Sequence, residues 1–96
     1  MTAIIQMLQE SLPTLKAKYP LVSLGVFGSY SRGEQTTNSD LDIVYETIPG
    51  TFLDLHNYLG LQRELTAITN LKIDLVNKRK INEVIWIRAK NDVIYV

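Results

Sequence analysis

The stretch "FGSYSRGEQTTNSDLDIVYE", residues 27–46, decides the fold. A Gly-Ser pair, Gly28 and Ser29, follows an apolar run with no gap, and two aspartates, Asp40 and Asp42, open the next apolar run. Short runs rich in β-branched and aromatic residues are typical of buried strands. The stretch therefore predicts two strands joined by a polar segment, with small and acidic residues where the strands meet that segment.

Hydrophobic periodicity predicts helices and further strands on either side of this stretch. The predicted strands cover 21–27, 41–46 and 71–77, with an edge strand over 93–96. The predicted helices cover 2–18, with a break or kink at Pro13, and a short segment that starts at Gly28. A third helix is opened by Thr51, with Asp54 in capping-box spacing, and ends near Ile68, and a last helix runs from Asn82 to about Lys90. This order predicts an α/β or α+β fold, with helices packed on a small sheet.

Composition limits the classes of protein that the chain can belong to. Its 96 residues, 46% of them hydrophobic and 21% charged, predict one globular domain over residues 1–96. Ten basic residues balance ten acidic ones, which argues against direct nucleic-acid binding. The absence of cysteine excludes disulfides and thiolate metal sites. Because no signal peptide or membrane-length apolar stretch is recognisable, we expect a cytoplasmic protein.

The paired aspartates predict a metal site. Side chains alternate along a strand, so Asp40 and Asp42 share one face or edge, and their mutual repulsion is tolerable when a hard cation such as Mg²⁺ neutralises it. Asp74 lies within another apolar strand and points to the same place if the two strands are neighbours. Three carboxylates can hold two Mg²⁺ ions about 3.5–4 Å apart, with a nucleoside triphosphate completing the shell.

The Gly-Ser pair predicts a phosphate site beside those acids. A strand that turns at Gly28 into a helix N-terminus would offer free amides to an anion, and the Ser29 hydroxyl would add a hydrogen bond. Arg32 would bring a positive charge to the triphosphate. Ser39 would bond either the loop backbone or a metal-bound water.

Together, "GSYSRGEQTTNSDLDIVYE" and the later "KIDLV" resemble the minimal nucleotidyltransferases of the DNA polymerase β-like superfamily. The closer resemblance is to the antitoxins paired with HEPN-type ribonuclease toxins. Their G-S-x10-D-x-D signature is complete at Gly28, Ser29, Asp40 and Asp42, with Asp74 in the third-acid position. The resemblance implies a mixed sheet flanked by helices, ATP as substrate with Mg²⁺, and adenylylation of a tyrosine on a cognate toxin bound in a heteromeric complex.

Two other functions stay open at this point. The chain would be a non-catalytic antitoxin if it blocked its toxin by stoichiometric contact. Alternatively, nucleotidyl transfer to a small molecule would keep the chemistry and change the acceptor. Larger relatives carry an extra domain for the acceptor, so we expect a partner to supply that surface here. The sequence does not identify a general base.

Several further residues have two interpretations each. His56 is expected on the surface rather than in a site. The basic run over 78–80 is either a solvated turn or a contact for an acidic partner or the triphosphate. Trp86, with its apolar neighbours, is expected to fill the core, with a partner contact as the alternative. Glu34 either orients Arg32 or faces water.

Overall fold

A computed structural model describes residues 2–96. Its elements, in chain order, are α1 (Thr2–Lys18), β1 (Leu21–Phe27), β2 (Leu41–Thr47), α2 (Leu55–Thr69), β3 (Ile73–Asn77), α3 (Glu83–Ala89) and β4 (Ile94–Tyr95). All four predicted strands form, and their ends differ from the predicted ones by no more than a residue or two. None of the described helices is both long and apolar enough to cross a membrane.

The strands form one mixed sheet in the order β3-β2-β1-β4. β1 pairs antiparallel with both β2 and β4, whereas β2 and β3 run parallel. α2 makes the crossover between the two parallel strands, as such a connection requires. The predicted fold, a small mixed sheet with packed helices, is confirmed.

The hydrophobic core lies between one face of the sheet and the helices α1 and α2. Leu8 and Leu15 of α1 meet Leu61 and Leu65 of α2 there, all of them buried. The strand residues in the same cluster alternate in sequence; on β2 they are Leu41, Ile43 and Tyr45. Because successive side chains point to opposite faces, the residues between them, including Asp42, point away from the helices. Core packing therefore aims the acidic residues at the other face.

The expected break at Pro13 is wrong, because α1 continues through it. Proline removes one intrahelical hydrogen bond, the one to the carbonyl of Gln9. Both residues are exposed, so water can hydrate that carbonyl. The buried leucines on the opposite side of α1 hold the helix together across the gap.

The short helix expected at Gly28 is also wrong, since residues 28–33 form successive turns. Gly28 and Gly33 have φ values of 74° and 70°, in the left-handed region that an α-helix cannot use. The amide of Glu34 closes the segment by donating to the carbonyl of Ser29 at 2.9 Å. The chain thus turns back on itself immediately after β1.

The second helix begins later than predicted, at Leu55 with Asp54 as its N-cap. The Asp54 side chain accepts a hydrogen bond from the amide of Asn57 at 2.8 Å, which satisfies one free donor of the first turn. Thr51 instead closes the turn after β2, because its hydroxyl donates to the carbonyl of Ile48 at 2.6 Å. The predicted cap of the last helix is confirmed, since Asn82 accepts from two amides of α3.

The expectation that Trp86 fills the core is wrong. No residue of α3 is buried, and its apolar side chains Val84, Ile85 and Ile87 are more than half exposed. Trp86 itself is half-buried on the sheet face opposite the core, where Lys78 lies 5.4 Å from its ring centroid. α3 follows the edge strand β3 and lies over the second face of the sheet. It is therefore outside the layer of α1 and α2 that builds the core.

Candidate active site

The turn after β1 forms a small concavity of free backbone amides. The amides of Ser29, Tyr30 and Ser31 donate to no carbonyl within the described chain. The Ser31 hydroxyl fixes the turn by donating to the carbonyl of Gly28 at 2.8 Å. Successive free amides of this kind suit an anion, and they lie where the sequence predicts a phosphate site, although in a turn and not at a helix N-terminus.

Gly28 is packed directly against an acidic side chain of the neighbouring strand. Phe27 and Asp42 are register partners in the antiparallel pair β1–β2, which brings Gly28 beside Asp42. A Cβ atom built on Gly28 would overlap the Asp42 carboxylate. The positive φ and the close approach both require glycine here.

Asp42 and Asp74 form an acid pair across the parallel strands. They are register partners in β2–β3, and their carboxyl groups are within hydrogen-bonding reach. Burial of Asp42 and its hydrogen bond to Asp74 raise its pKa to about 6, with further contributions from the charges of Asp74 and Asp40. The positive charge of Arg32 partly opposes this rise in the pKa. Asp42 therefore keeps its proton to a higher pH than an ordinary aspartate, and at neutral pH its carboxylate lies close to other negative charge.

Asp40 lies immediately before β2 and is half-buried. The negative charge of Asp40 contributes to the raised pKa of Asp42. Within residues 2–96, no three acidic, histidine or cysteine side chains lie close enough together to hold a metal ion. Asp74 is exposed, not buried as expected for an acid within an apolar strand. The donor set nevertheless fits Mg²⁺, because register pairing brings the Asp42 and Asp74 carboxyl groups together and a cation would relieve the repulsion between these oxygen ligands.

Arg32 projects from the same turn and is held by two acids. Its Nε lies 3.2 Å from Glu34 Oε1, and its guanidinium lies 3.9 Å from Asp92. Of the two interpretations of Glu34, the one in which it orients Arg32 is confirmed. The arginine is thus kept near the acid pair.

Ser39 bonds the loop backbone, the first of its two predicted alternatives. Its hydroxyl accepts from the amide of Thr36 at 2.9 Å, and its own amide donates to the carbonyl of Thr36 at 3.1 Å. Ser39 therefore shapes the segment that leads into the acidic strand.

A cleft of about 310 Å³ opens beside Gly28, between the turn and α3. It is lined by Phe27, Gly28, Arg32, Ile85, Arg88 and Ala89. No pattern in the sequence indicates that α3 faces the site. Arg88 lies in the last turn of α3, where a cation is normally explained by its favourable interaction with the helix dipole. Its sequence neighbours give no sign of a further role.

Lys78 and Arg79 of the basic run, and His56, lie outside this cluster. Lys78 forms an ion pair with Glu46 at 3.3 Å, and Arg79 donates to the carbonyl of Thr47 at 2.9 Å. These two members of the basic run therefore stabilise the chain's own fold. His56 is exposed on α2, as expected.

The site combines two elements that phosphoryl chemistry requires. Asp42, Asp74 and Asp40 concentrate carboxylate oxygens at one end of the sheet, and the Gly28 turn adds free amides. Arg32 supplies a fixed positive charge beside them. Such an arrangement can hold a phosphate ester together with a divalent cation.

Comparison with known proteins gives a family. The nucleotidyltransferase domain family matches residues 8–96. A protein of Methanocaldococcus jannaschii, provisionally assigned as a protein adenylyltransferase, is 38% identical over 97 residues, which cover 100% of this chain and 97% of the relative. The match therefore includes both the turn and the acidic strands.

Solved structures agree with this match. One, provisionally described as a minimal nucleotidyltransferase, is 27% identical, with a TM-score of 0.73 over 90% of this chain and 86% of that chain. A crystal structure of a toxin–antitoxin pair with AMP-PNP contains a chain that is 32% identical, with a TM-score of 0.60 over 85% of this chain. The present chain spans 60% of that chain's length.

Proposed function

The chain belongs to the nucleotidyltransferase family and is a nucleotidyltransferase, and from this premise we propose that it transfers AMP from ATP to a hydroxyl group of a partner protein. The observation that carries the proposal is the acid pair Asp42–Asp74 packed against the Gly28 turn. Acids alone would suit many cations. Acids beside free amides and an arginine suit a cation that carries a phosphate chain.

In the proposed reaction Asp40, Asp42 and Asp74 would hold Mg²⁺, as two ions in the full site. The metal, when bound, neutralises the phosphate chain and polarises the α-phosphoryl group. In this proposal the acceptor hydroxyl approaches from the side of Asp74, and the exposure of Asp74 on the edge strand supports this.

The turn holds the leaving group. Free amides of residues 29–31, the Ser29 hydroxyl and Arg32 bind the β- and γ-phosphates, and Ser39 fixes the loop between turn and acids. The acceptor hydroxyl gives up its proton to solvent water and its oxygen bonds to the α-phosphorus, as the bond from that phosphorus to the oxygen bridging the α- and β-phosphates breaks. Pyrophosphate leaves with the charge that these donors stabilise.

The acceptor that we propose is a tyrosine on a cognate HEPN-type toxin, so that the chain acts as its antitoxin in a heteromeric complex. Three observations support this: the resemblance of the motif to such antitoxins, the relative assigned as a protein adenylyltransferase, and the similarity to one chain of a toxin–antitoxin pair with AMP-PNP, an analogue of ATP. In this proposal residues 1–96 serve as one nucleotidyltransferase domain. The proposed reaction takes place in the cytoplasm and requires no direct contact with nucleic acid.

A titration of toxin activity distinguishes catalysis from blocking by contact. The toxin is incubated with ATP, Mg²⁺ and either the wild-type chain or the double variant Asp40→Asn, Asp42→Asn. We expect the wild type to silence the toxin at far less than one equivalent, and the variant to bind the toxin without silencing it. Neutralisation by the variant at substoichiometric amounts would exclude the enzymatic account.

A further inference from the structure

The cleft beside Gly28 has a wall that the proposed site does not yet use. Arg32 stands on the turn side of the cleft and Arg88 on the α3 side, while the apolar residues Phe27, Ile85 and Ala89 complete the lining. Two guanidinium groups therefore line the cleft, and none of its lining residues is acidic. Both charged residues of the lining are thus positive, which suits an anion.

The two arginines differ in how they are held. Arg32 is restrained by Glu34 and Asp92. The side chain of Arg88 is exposed and forms no ion pair or hydrogen bond with any residue described in the structure. A guanidinium presents five donors that match phosphate oxygens in a fork. An arginine with its donors free, facing a cleft with a second arginine, is ready to bind a phosphate group.

The position of the cleft selects which phosphates it would take. Gly28 both lines the cleft and packs against the carboxylate of Asp42, so a phosphate chain whose α-phosphate lay at the acids could extend past the turn into the cleft. The cleft volume of about 310 Å³ is at the small end of ligand pockets, which range over roughly 300–1,000 Å³. It accommodates the end of a nucleotide rather than the whole molecule.

We propose that Arg88 is a further nucleotide-binding residue, which closes on the β- and γ-phosphates of ATP from α3 while Arg32 contacts them from the turn. This inference rests on the proposed function. α3 is then a wall of the nucleotide site, although it contributes nothing to the buried core.

The test compares three probes that differ in their phosphates. Affinities for ATP, inorganic tripolyphosphate and AMP are measured by NMR titration with Mg²⁺ on the wild type, Arg88→Gln and Arg88→Lys. Arg63→Gln is the matched control, because Arg63 lines a second cleft of about 310 Å³ beside α2, which does not include Gly28. Losing one charged phosphate contact should weaken ATP and tripolyphosphate at least about tenfold in Arg88→Gln.

AMP lacks the β- and γ-phosphates, so its affinity should stay within about twofold of wild type in every variant. Arg88→Lys should recover part of the ATP affinity, since it keeps the charge but loses the fork.

An equal loss of ATP and AMP binding in Arg88→Gln would show that α3 matters only for the fold. Unchanged ATP binding in Arg88→Gln would exclude the contact. Either result overturns the inference. A wild-type chain that transfers AMP while Arg88→Gln binds ATP normally would overturn this inference alone, whereas a wild-type chain without transferase activity would overturn the proposed function.

Discussion

The carboxylate of Asp42 occupies the space into which a Cβ atom on Gly28 would project. The turn that supplies free amides and the strand that supplies acids are therefore one packed unit. Neither can move without displacing the other. This contact sets the distance between the free amides of the turn and the carboxylate of Asp42.

Gly28→Ala should reduce both stability and AMP transfer. The left-handed conformation costs a non-glycine residue about 1–2 kcal/mol, and the overlap with Asp42 adds to this and shifts the acid. Gly33→Ala is the matched control, because Gly33 has a φ of 70° but no atom within 4 Å of the place that a Cβ would take. Urea unfolding and transfer rates measure both effects. Equal losses in the two variants would contradict the role given to the Gly28–Asp42 contact.

Asp42→Asn should stabilise the metal-free protein at neutral pH while removing its activity. The pKa of Asp42 is raised from its ordinary value of 3.8 to about 6, so its contribution to stability is fully present below pH 4 and is lost as the pH rises through 6. Asparagine escapes this loss. The gain at pH 7.5 should be on the order of 1–2 kcal/mol after solvent screening, and close to zero below pH 4.

Unfolding curves in EDTA at the two pH values measure that difference, with Glu10→Gln on α1 as the control for removing one exposed acid. Added Mg²⁺ should stabilise the wild type and leave Asp42→Asn almost unchanged. A variant that is less stable than the wild type in EDTA at pH 7.5 would show that the acid pair is not under repulsion.

Tyr19→Phe should weaken the contact between α1 and α2 in a pH-dependent manner. The Tyr19 hydroxyl donates to Glu64, and hydrogen bonds from Lys18 and Tyr19 lower the pKa of that carboxyl. This contribution is present above pH 4.5 and is lost on acidification. Burial and the bond to Glu64 raise the pKa of Tyr19 to about 12, so its contribution is lost as the pH rises from 10 to about 12.

The variant should therefore be less stable than the wild type by about 1 kcal/mol at pH 7. The difference should shrink on acidification towards pH 3, as the Glu64 carboxyl takes up its proton, and again above pH 11. Thermal unfolding across this range provides the measurement. A difference that persists unchanged at pH 3 would assign the effect to packing of the ring instead of the hydrogen bond.

Truncation of α3 side chains should have little effect on folding. Ile87 is 61% exposed, so Ile87→Ala should change stability by no more than about 0.5 kcal/mol. Leu61 on α2 is fully buried, and Leu61→Ala should cost about 2–5 kcal/mol. Denaturant midpoints of both variants provide the measurement. A large loss in Ile87→Ala would mean that α3 packs more closely than the structure indicates.

Period-two patterns place Asp42 and Asp74 on strands, and parallel pairing of those strands brings the two side chains together. The spacing from Gly28 to Asp42 then needs only an antiparallel connection between β1 and β2 to bring the turn beside the acids. These features follow from local pattern and sheet geometry.

What the sequence did not predict depends on contacts between distant segments. The turn at Gly28 resembles a helix start until its positive φ is known. Trp86 has a hydrophobicity typical of the core, but the helices α1 and α2 already fill one face of the sheet, and Trp86 lies on the other. The approach of Arg88 to Gly28 depends on how α3 returns over that face, which no local pattern encodes.

The most direct test of the central claim is intact-protein mass spectrometry of the cognate toxin after incubation with the chain, ATP and Mg²⁺. The account predicts a mass gain of one or more adenylyl groups, mapped by fragmentation to tyrosine, and no gain with the Asp40→Asn, Asp42→Asn variant. A stable complex in which the wild-type chain silences the toxin without any change in the toxin's mass would contradict it.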